Sequence, residues 1–387
     1  MSWKRDSVIF KQEGSYSCFP GLAQLSDGRL VVPFTQRDWP THHAPGRLRV
    51  FTSPDGGESW QETQDTSLSP LWKGARGNFR RVLADGSWLV AGTSGWDMLP
   101  STERAQREAQ GYCTHDHESD PDLFYLSRRD FTISKSRDGG TTWQRQTIPA
   151  PEDMVTFHSF RGIVLKDGTL LVPIGGSAHK PGLNLRTLEG AARRQYMARS
   201  TDGGETWELA QMIEDPQGQY TEEVALVELR DGRVLALARV QGLGDTGYLW
   251  QQASVDGGQT WSEAVETRIW GYPAHLLQLQ DGRLLCSYGY RREPAGIRAV
   301  VSNNGGWSWD LADERILRDD GGTPAQAWSA ADLKLFKTKA GLAGAPDLGY
   351  PRSIQLADGT IFSVYYFTAK DGITHVAATK WRLDGDL

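Results

Sequence analysis

Five copies of one octapeptide constrain the fold of this 387-residue chain more than any other feature. Each copy reads Ser-x-Asp-x-Gly-x-x-Trp, and the fifth carries Asn304 in place of the aspartate. The copies occupy residues 53–60, 136–143, 200–207, 254–261 and 302–309. Self-similarity of this kind indicates a repeat architecture.

The octapeptide itself is typical of a tight turn between two strands. Glycine supplies the positive φ that such turns need, and the Asp and Ser side chains can hydrogen-bond the turn backbone. The Trp is expected to fold back as an apolar plug. We therefore interpret these aspartates as turn braces rather than as catalytic acids.

A second repeat alternates with the first. An Asp-Gly pair followed by a strand-like apolar run predicts a β-hairpin. The six pairs begin at Asp27, Asp85, Asp167, Asp231, Asp281 and Asp358. One hairpin plus one octapeptide makes a four-stranded antiparallel unit, so the chain is predicted to be all-β, a six-bladed β-propeller with octapeptide turns in blades 1–5. Residues 7–11 are predicted to supply the fourth strand of the last blade.

Composition indicates one globular domain spanning residues 1–387, because no linker divides the chain. A net charge of −6 argues against nucleic acid or an anionic membrane as partner. Three scattered cysteines predict neither a disulfide framework nor a CxxC metal site. The N-terminus lacks the apolar run of a signal peptide, so a cytoplasmic location is expected. Long insertions are predicted at 97–129, 177–195 and 311–348, with short helices near 103–108 and 325–335.

The octapeptide resembles the Asp box of sialidases (neuraminidases) and related BNR-repeat proteins, whose fold is a six-bladed propeller. The resemblance covers essentially the whole chain. It implies an exo-acting glycoside hydrolase that removes a terminal, acidic sugar from a glycan, with no cofactor and no metal. The resemblance leaves the oligomeric state open.

Two segments extend the resemblance to site residues. Segment 223–239 is similar to the sialidase segment in which a Glu opens the innermost strand and an Arg closes the next one. In that family the Glu polarises a nucleophilic Tyr and the Arg binds the substrate carboxylate, which implies these roles for Glu223 and Arg239. Segment 349–359 resembles the one that carries the nucleophile, here Tyr350. Asp38, after the second strand of blade 1, is placed like the family's acid/base Asp.

Chemistry supports a Tyr and Glu pair independently. A phenol with a pKa of about 10 is a poor nucleophile at neutral pH, so it needs a carboxylate base and nearby cations. A neutral phenol also avoids repulsion from an anionic sugar, and sialidases with a Tyr nucleophile are a known exception to catalysis by two carboxylates.

One departure from the family pattern affects substrate binding. Sialidases open blade 1 with Phe-Arg-Ile-Pro, whose Arg helps to clamp the substrate carboxylate, whereas this chain has Ser-Cys-Phe-Pro at 17–20. Arg291 is a candidate for the blade 5 arginine, and Arg37, Arg76 or Arg161 is a candidate replacement for the missing one. Other residues expected near the same end of the blades, and assigned to substrate binding, are His158, Tyr272 and His43.

Alternatives remain open at this point. Glu223 and Arg239 also fit a structural ion pair, and Tyr350 also fits a residue that lines the channel. Histidines at 42–43 and the polar run 113–120 match no standard metal spacing, so no metal is predicted. A polysaccharide lyase would use His158 or His43 to abstract a proton, with Arg161 neutralising a uronate carboxylate. A carbohydrate-binding propeller without turnover is the third alternative.

Overall fold

The computed structural model describes residues 4–38, 46–63, 79–92, 96–116, 121–127, 130–151, 154–159, 161–178, 193–214, 220–241, 247–324 and 346–383. Within these residues the chain is almost entirely β. A single α-helix, α1 (Arg104–Ala109), follows a 3-10 turn at Ser101–Glu103, and a second 3-10 turn spans Leu311–Asp313. The helix predicted near 103–108 is therefore confirmed, whereas the one predicted near 325–335 lies outside the described residues.

The described residues up to Glu214 form eighteen strands. In order they are β1 (Lys4–Phe10), β2 (Tyr16–Cys18), β3 (Ala23–Gln24), β4 (Leu30–Arg37), β5 (Arg47–Ser53), β6 (Gln61–Glu62), β7 (Phe79–Val82), β8 (Trp88–Ala91), β9 (Trp96–Pro100), β10 (Thr114–Asp116), β11 (Leu123–Ser127), β12 (Asp130–Ser136), β13 (Gln144–Pro149), β14 (Met154–Ser159), β15 (Ile163–Val164), β16 (Leu170–Ala178), β17 (Arg193–Ser200) and β18 (Glu208–Glu214).

The second half of the described chain contributes the remaining strands. They are β19 (Tyr220–Glu228), β20 (Val234–Gln241), β21 (Tyr248–Ser254), β22 (Val265–Trp270), β23 (Tyr272–Gln278), β24 (Leu284–Tyr290), β25 (Gly296–Ser302), β26 (Arg315–Arg318), β27 (Gly349–Gln355), β28 (Ile361–Thr368) and β29 (Thr374–Trp381).

The chain divides into two compact units. Unit 1 comprises Met1–Ser69, Thr267–Ala327 and Gly341–Leu387, and unit 2 comprises Pro70–Glu266 and Trp328–Ala340. Unit 1 contains sheet 1 (β2-β4-β5-β6, with β3 also on β4), sheet 5 (β23-β24-β25-β26) and sheet 6 (β1-β29-β28-β27). Unit 2 contains sheet 2 (β13-β12-β8-β7), sheet 3 (β14-β16-β17-β18, with β15 also on β16) and strands β19, β20 and β21 of sheet 4 (β19-β20-β21-β22), whose last strand continues past the boundary at Glu266. The predicted insertion 97–129 adds a small sheet in the order β10-β11-β9.

These six four-stranded antiparallel sheets confirm the predicted fold class, a six-bladed β-propeller. Sheet 6 is completed by the N-terminal strand, because β1 pairs antiparallel with β29 from Lys4 opposite Trp381 to Phe10 opposite Val376. This pairing confirms the fourth strand predicted for the last blade. In the described part of the chain, we find no helix with the length and hydropathy of a membrane span.

The octapeptide turns have the predicted geometry. In the first one Ser53 Oγ donates to Asp55 Oδ1 at 2.8 Å and accepts the N–H of Gly57 at 2.8 Å. The fifth turn keeps this arrangement, since Asn304 Oδ1 accepts from the Ser302 hydroxyl at 2.9 Å and from the N–H of Ser308 at 2.9 Å. The side chain at the Asp position therefore braces the turn, as predicted from the sequence.

The tryptophans of the octapeptide turns join sheets together within each unit. In unit 1 the ring of Trp60 lies 6.0 Å from that of Phe362 in β28, centroid to centroid. In unit 2 the ring of Trp207 lies edge-on to Phe131 in β12 at 6.4 Å. These two turns thus pack against the neighbouring sheet, which agrees with the prediction of an apolar plug.

Candidate functional site

A shared backbone conformation marks two strand residues and one residue that directly follows a strand. Phe19, Glu223 and Tyr350 have φ of 55°, 52° and 52°, and they are the non-glycine residues with positive φ in the described part of the chain. Each lies eight residues before the Asp of an Asp-Gly turn. Such a conformation costs on the order of 1 to 3 kcal/mol and is found most often at functional sites.

The register of the strands shows how this conformation is built. Pairing shifts between Gly349 and Arg352 in β27, and between Glu222 and Ala225 in β19, so each strand bulges at the residue with positive φ. Bulges re-aim a side chain away from the regular alternation of a strand. The predicted nucleophile Tyr350 and the predicted base Glu223 thus have the same local geometry, each in its own unit.

Tyr350 lies in an aromatic cluster of unit 1. Its ring centroid is 4.7 Å from that of Phe19 and 5.7 Å from that of Tyr366. Phe19 and Tyr350 are half-buried, and they pack against the fully buried Tyr16, Cys18 and Tyr366. The cluster joins β2 of sheet 1 to β27 and β28 of sheet 6, which fixes the ring of Tyr350 while leaving it accessible.

A carboxylate stands beside this cluster. Asp347 accepts hydrogen bonds from the hydroxyls of Tyr366, at 2.7 Å, and of Tyr16. Burial, followed by the negative charge of Asp347, raises the pKa of both phenols well above the usual value, so they remain protonated donors. The Asp347 side chain is 20% exposed, so solvent can reach the carboxylate.

Arg291 is tied to the same carboxylate. Its Nη2 donates to Asp347 Oδ1 at 3.3 Å and to the Tyr366 hydroxyl at 2.9 Å, while its Nε donates to the carbonyl of Leu348 at 3.0 Å. The guanidinium carbon lies 5.8 Å from the ring centroid of Tyr272. The structure therefore brings the predicted residues Arg291, Tyr272 and Tyr350 into one cluster.

A second guanidinium occupies the place where the blade 1 arginine is missing. Arg37, at the end of β4, donates from Nη1 to the sulfur of Cys18 at 2.9 Å and lies 5.8 Å from the ring centroid of Phe19. Burial raises the pKa of the Cys18 thiol to about 12, so Arg37 faces a neutral group. Of the predicted replacements, Arg37 is thus the one found in the unit 1 cluster, while Arg161 is half-buried before β15 in unit 2.

Glu223 and Arg239 form an ion pair in sheet 4 of unit 2. Arg239 Nη1 lies 2.6 Å from Glu223 Oε2 and 3.3 Å from Glu222 Oε1. Glu222 stands directly opposite Arg239 in the register of β19 and β20. The cross-strand pair that the sequence left open as an alternative is present, and the catalytic role of Glu223 stays a prediction.

The remaining predicted residues are less informative. Asp38 is exposed and lies 3.5 Å from Arg47 Nη2. His158 stands opposite Gly175 in the pairing of β14 with β16, and His43 and Arg76 lie outside the described residues. Over the described ranges, no three His, Cys, Asp or Glu side chains come together as a metal site would require.

Sequence reasoning missed Asp347 and Tyr16. Asp347 lies three residues before Tyr350, within the insertion predicted at 311–348, and Tyr16 lies two residues before Cys18. An acidic residue placed just before a predicted nucleophile was the available signal for Asp347. Nothing in the sequence around Tyr16 pairs it with a carboxylate 331 residues away.

Comparison with known proteins supports the repeat family. A model of the BNR repeat-like domain matches residues 125–363. The chain is 27% identical over 254 residues to a sialidase of Micromonospora viridifaciens, which covers 64% of this chain and 36% of that protein. It is 23% identical over 277 residues to a sialidase of Paraclostridium sordellii, with 67% and 61% covered. The chain therefore spans less than two thirds of the length of either relative.

Solved structures show the same fold at low identity. A Dyadobacter fermentans protein of unknown function superposes with a TM-score of 0.71 at 24% identity, covering 98% of this chain and 99% of that one. A Trypanosoma rangeli sialidase in complex with the inhibitor DANA gives a TM-score of 0.55 at 13% identity, covering 97% and 59%. A Hadza microbial sialidase gives 0.52 at 17% identity, covering 94% and 65%.

Proposed function

The chain belongs to the BNR repeat-like domain family, and on that premise we propose that it is an exo-acting glycoside hydrolase of the sialidase type, which removes a terminal sugar from a glycan. The roles that the family resemblance assigns are nucleophile for Tyr350, general base for Glu223 and acid/base for Asp38. The relatives named sialidase support the class of reaction.

The single observation that carries this proposal is the matched backbone at Tyr350 and Glu223. The residues that the family resemblance assigns to nucleophile and base share a left-handed φ of 52° in a strand bulge. Phe19 has a similar φ at the equivalent position, so this conformation directs side chains at one point of the repeat, and the proposed chemistry comes from the Tyr and the Glu that occupy two of the three positions. The agreement of two independent positions supports a shared purpose.

The electrostatics around Tyr350 are consistent with a phenol nucleophile. Arg37 and Arg291 both contact members of its aromatic cluster, and nearby cations favour the developing phenolate. In the reaction, the Tyr350 oxygen bonds to the anomeric carbon as the bond to the leaving oxygen breaks, and Asp38 gives that oxygen its proton. Water then displaces Tyr350 while Asp38 takes a proton back, so the sugar leaves as a hydrolysed product.

Kinetics of two variants test the proposal. Tyr350→Phe removes only the nucleophilic oxygen and is expected to lower kcat by about 10³-fold or more, since no covalent intermediate can form. Glu223→Gln is expected to lower kcat by about 10² to 10³-fold, because the general base is lost. Tyr112→Phe, the same change at a residue that follows α1 and lies outside both bulged strands, serves as the control and should leave the rate unchanged.

The readouts separate the competing functions. A hydrolase releases a reducing sugar without ultraviolet absorbance. A product that absorbs in the ultraviolet and still forms in Tyr350→Phe would identify a lyase instead. Saturable binding of glycans with no product from any of them would identify a binding protein, and either result would refute the hydrolase.

A further inference from the structure

We propose that the sugar bound beside Tyr350 is a neutral one, with no carboxylate against Arg291, and that Asp347 determines this preference for a neutral sugar. The inference rests on the proposed hydrolase function and concerns its substrate class. It departs from the acidic sugar that the family resemblance implies. The residues on which it rests all lie in unit 1, within the part of the chain that the structure describes.

Arg291 donates several of its N–H groups to the protein itself. A guanidinium grips a carboxylate most strongly through two parallel N–H groups. In this protein the Nε and Nη2 edge already donates to Leu348, Asp347 and Tyr366. The position that a substrate carboxylate would take on this edge is therefore occupied by the protein's own carboxylate and carbonyl.

The negative charge of Asp347 beside Arg291 disfavours a second carboxylate there. A carboxylate brought to Arg291 would lie beside Asp347, and two negative charges in a half-buried site repel each other. The cluster holds two guanidinium groups, of Arg37 and Arg291, and one carboxylate. Cys18 replaces the blade 1 arginine by a neutral thiol. In the part of unit 1 that the structure describes, the charge of Asp347 thus offsets that of Arg291, which weakens the attraction of this pair for a substrate carboxylate.

Asp347 and Arg291 together suit a sugar hydroxyl. A sugar hydroxyl both donates and accepts a hydrogen bond. Asp347 and Arg291 place a partly exposed acceptor and donor side by side, with 20% and 16% of their side chains exposed. The rings of Phe19, Tyr350 and Tyr272 supply apolar surface to the carbon side of a pyranose. This combination fits a neutral, hydroxyl-rich sugar.

The test compares wild type with Asp347→Asn, which keeps the shape of the side chain and removes its charge. Substrates are 4-nitrophenyl glycosides of galactose, glucose, mannose, fucose, rhamnose and N-acetylglucosamine, set against those of sialic acid and glucuronic acid. We expect kcat/KM of wild type for the best neutral glycoside to exceed that for the sialoside by about 100-fold. Asp347→Asn is expected to raise kcat/KM for the sialoside about tenfold and to lower it for the neutral glycoside.

A matched control is available in the same unit. Asp320 pairs with Arg318 through two contacts of 2.6 and 2.7 Å, whereas Asp347 pairs with Arg291. Asp320→Asn should leave the ratio of the two kcat/KM values unchanged. A wild type that prefers the sialoside would overturn the inference, as would a loss of both activities in equal proportion in a folded Asp347→Asn protein.

Failure of the proposed function is distinguishable from failure of the inference. If no glycoside is cleaved, the hydrolase is refuted, and the substrate preference is then tested by measuring binding alone. Calorimetric titration with the methyl glycosides of galactose, rhamnose and sialic acid is then expected to show about tenfold tighter binding of the sialoside by Asp347→Asn than by wild type. Equal affinities in the two proteins would overturn the inference.

Discussion

The left-handed backbone at Phe19 and Tyr350 is harder to hold than at most positions, because a proline follows each of them. The ring of a following proline disfavours compact backbone conformations and drives the preceding residue towards an extended one. Phe19 precedes Pro20 and Tyr350 precedes Pro351, yet both have positive φ. Their surroundings must therefore impose the conformation. Just before Tyr350, Arg291 holds the chain through hydrogen bonds to the Leu348 carbonyl and to Asp347.

Gly349, directly before Tyr350, has no room for a side chain. Its φ is 130°, and a Cβ at this position would lie 2.7 Å from the carbonyl oxygen of Tyr272. Gly349→Ala is expected to lower the free energy of unfolding by about 3 kcal/mol or more, because it combines backbone strain with a backbone clash. It should also lower kcat by displacing Tyr350. Urea unfolding and kinetics measure the two effects.

Gly359→Ala is the control for this variant. Gly359 also has positive φ, at 83°, but a Cβ there meets no atom within 4 Å. It should lower stability by about 1 kcal/mol through backbone strain alone and leave kcat as in wild type. Equal losses of stability in the two variants would show that the close approach to Tyr272 is unimportant.

At the scale of elements, the sequence predicted the strands and turns but not their irregularities. Asp-Gly and octapeptide patterns are local, so six sheets and the pairing of β1 with β29 could be predicted from them. The bulges at Glu223 and Tyr350 depend on what packs around each strand, which no local pattern encodes. The same holds for Asp347, whose partners Tyr16 and Arg291 are distant in sequence.

The N-terminal strand β1 offers a test at this scale, because one of its faces is buried and the other is exposed. Ile9 is 5% exposed and lies in a core cluster with Phe34 and Val364, whereas its neighbour Val8 is 53% exposed. Ile9→Ala is expected to lower the free energy of unfolding by about 2 to 4 kcal/mol, because it leaves a cavity in that core. Val8→Ala, on the same strand, should change it by less than about 0.5 kcal/mol. Similar values from urea unfolding of the two variants would show that β1 contributes little to the sheet.

At the scale of the whole molecule, the octapeptide turns share one hydrogen-bonding pattern, but the fifth has the neutral Asn304 where the others have an aspartate. Burial raises the pKa of Asp256, but hydrogen bonds from the hydroxyl and N–H of Thr260 and from Ser254 outweigh it and bring the pKa to about 2. Asp202 has the same balance and the same pKa of about 2. Asn304 makes the equivalent hydrogen bonds without a titrating group. Repetition therefore spreads a small pH-dependent stabilisation over the molecule.

The double variant Asp202→Asn/Asp256→Asn tests this distribution, with the sign set by linkage. A carboxylate whose pKa is lower in the folded than in the unfolded state stabilises the fold above about pH 4 and loses that effect as pH falls through about 2. Because these groups are largely solvated, the variant should melt only about 1 to 3 °C below wild type at pH 7. Thermal scans should show this gap closing between pH 4 and pH 2, since protonation removes the advantage from wild type alone. Asn304→Asp, which adds a carboxylate to the fifth turn, should steepen the acid loss instead. A gap that stays constant with pH would mean that these turns are held by shape and neutral hydrogen bonds, with no contribution from charge.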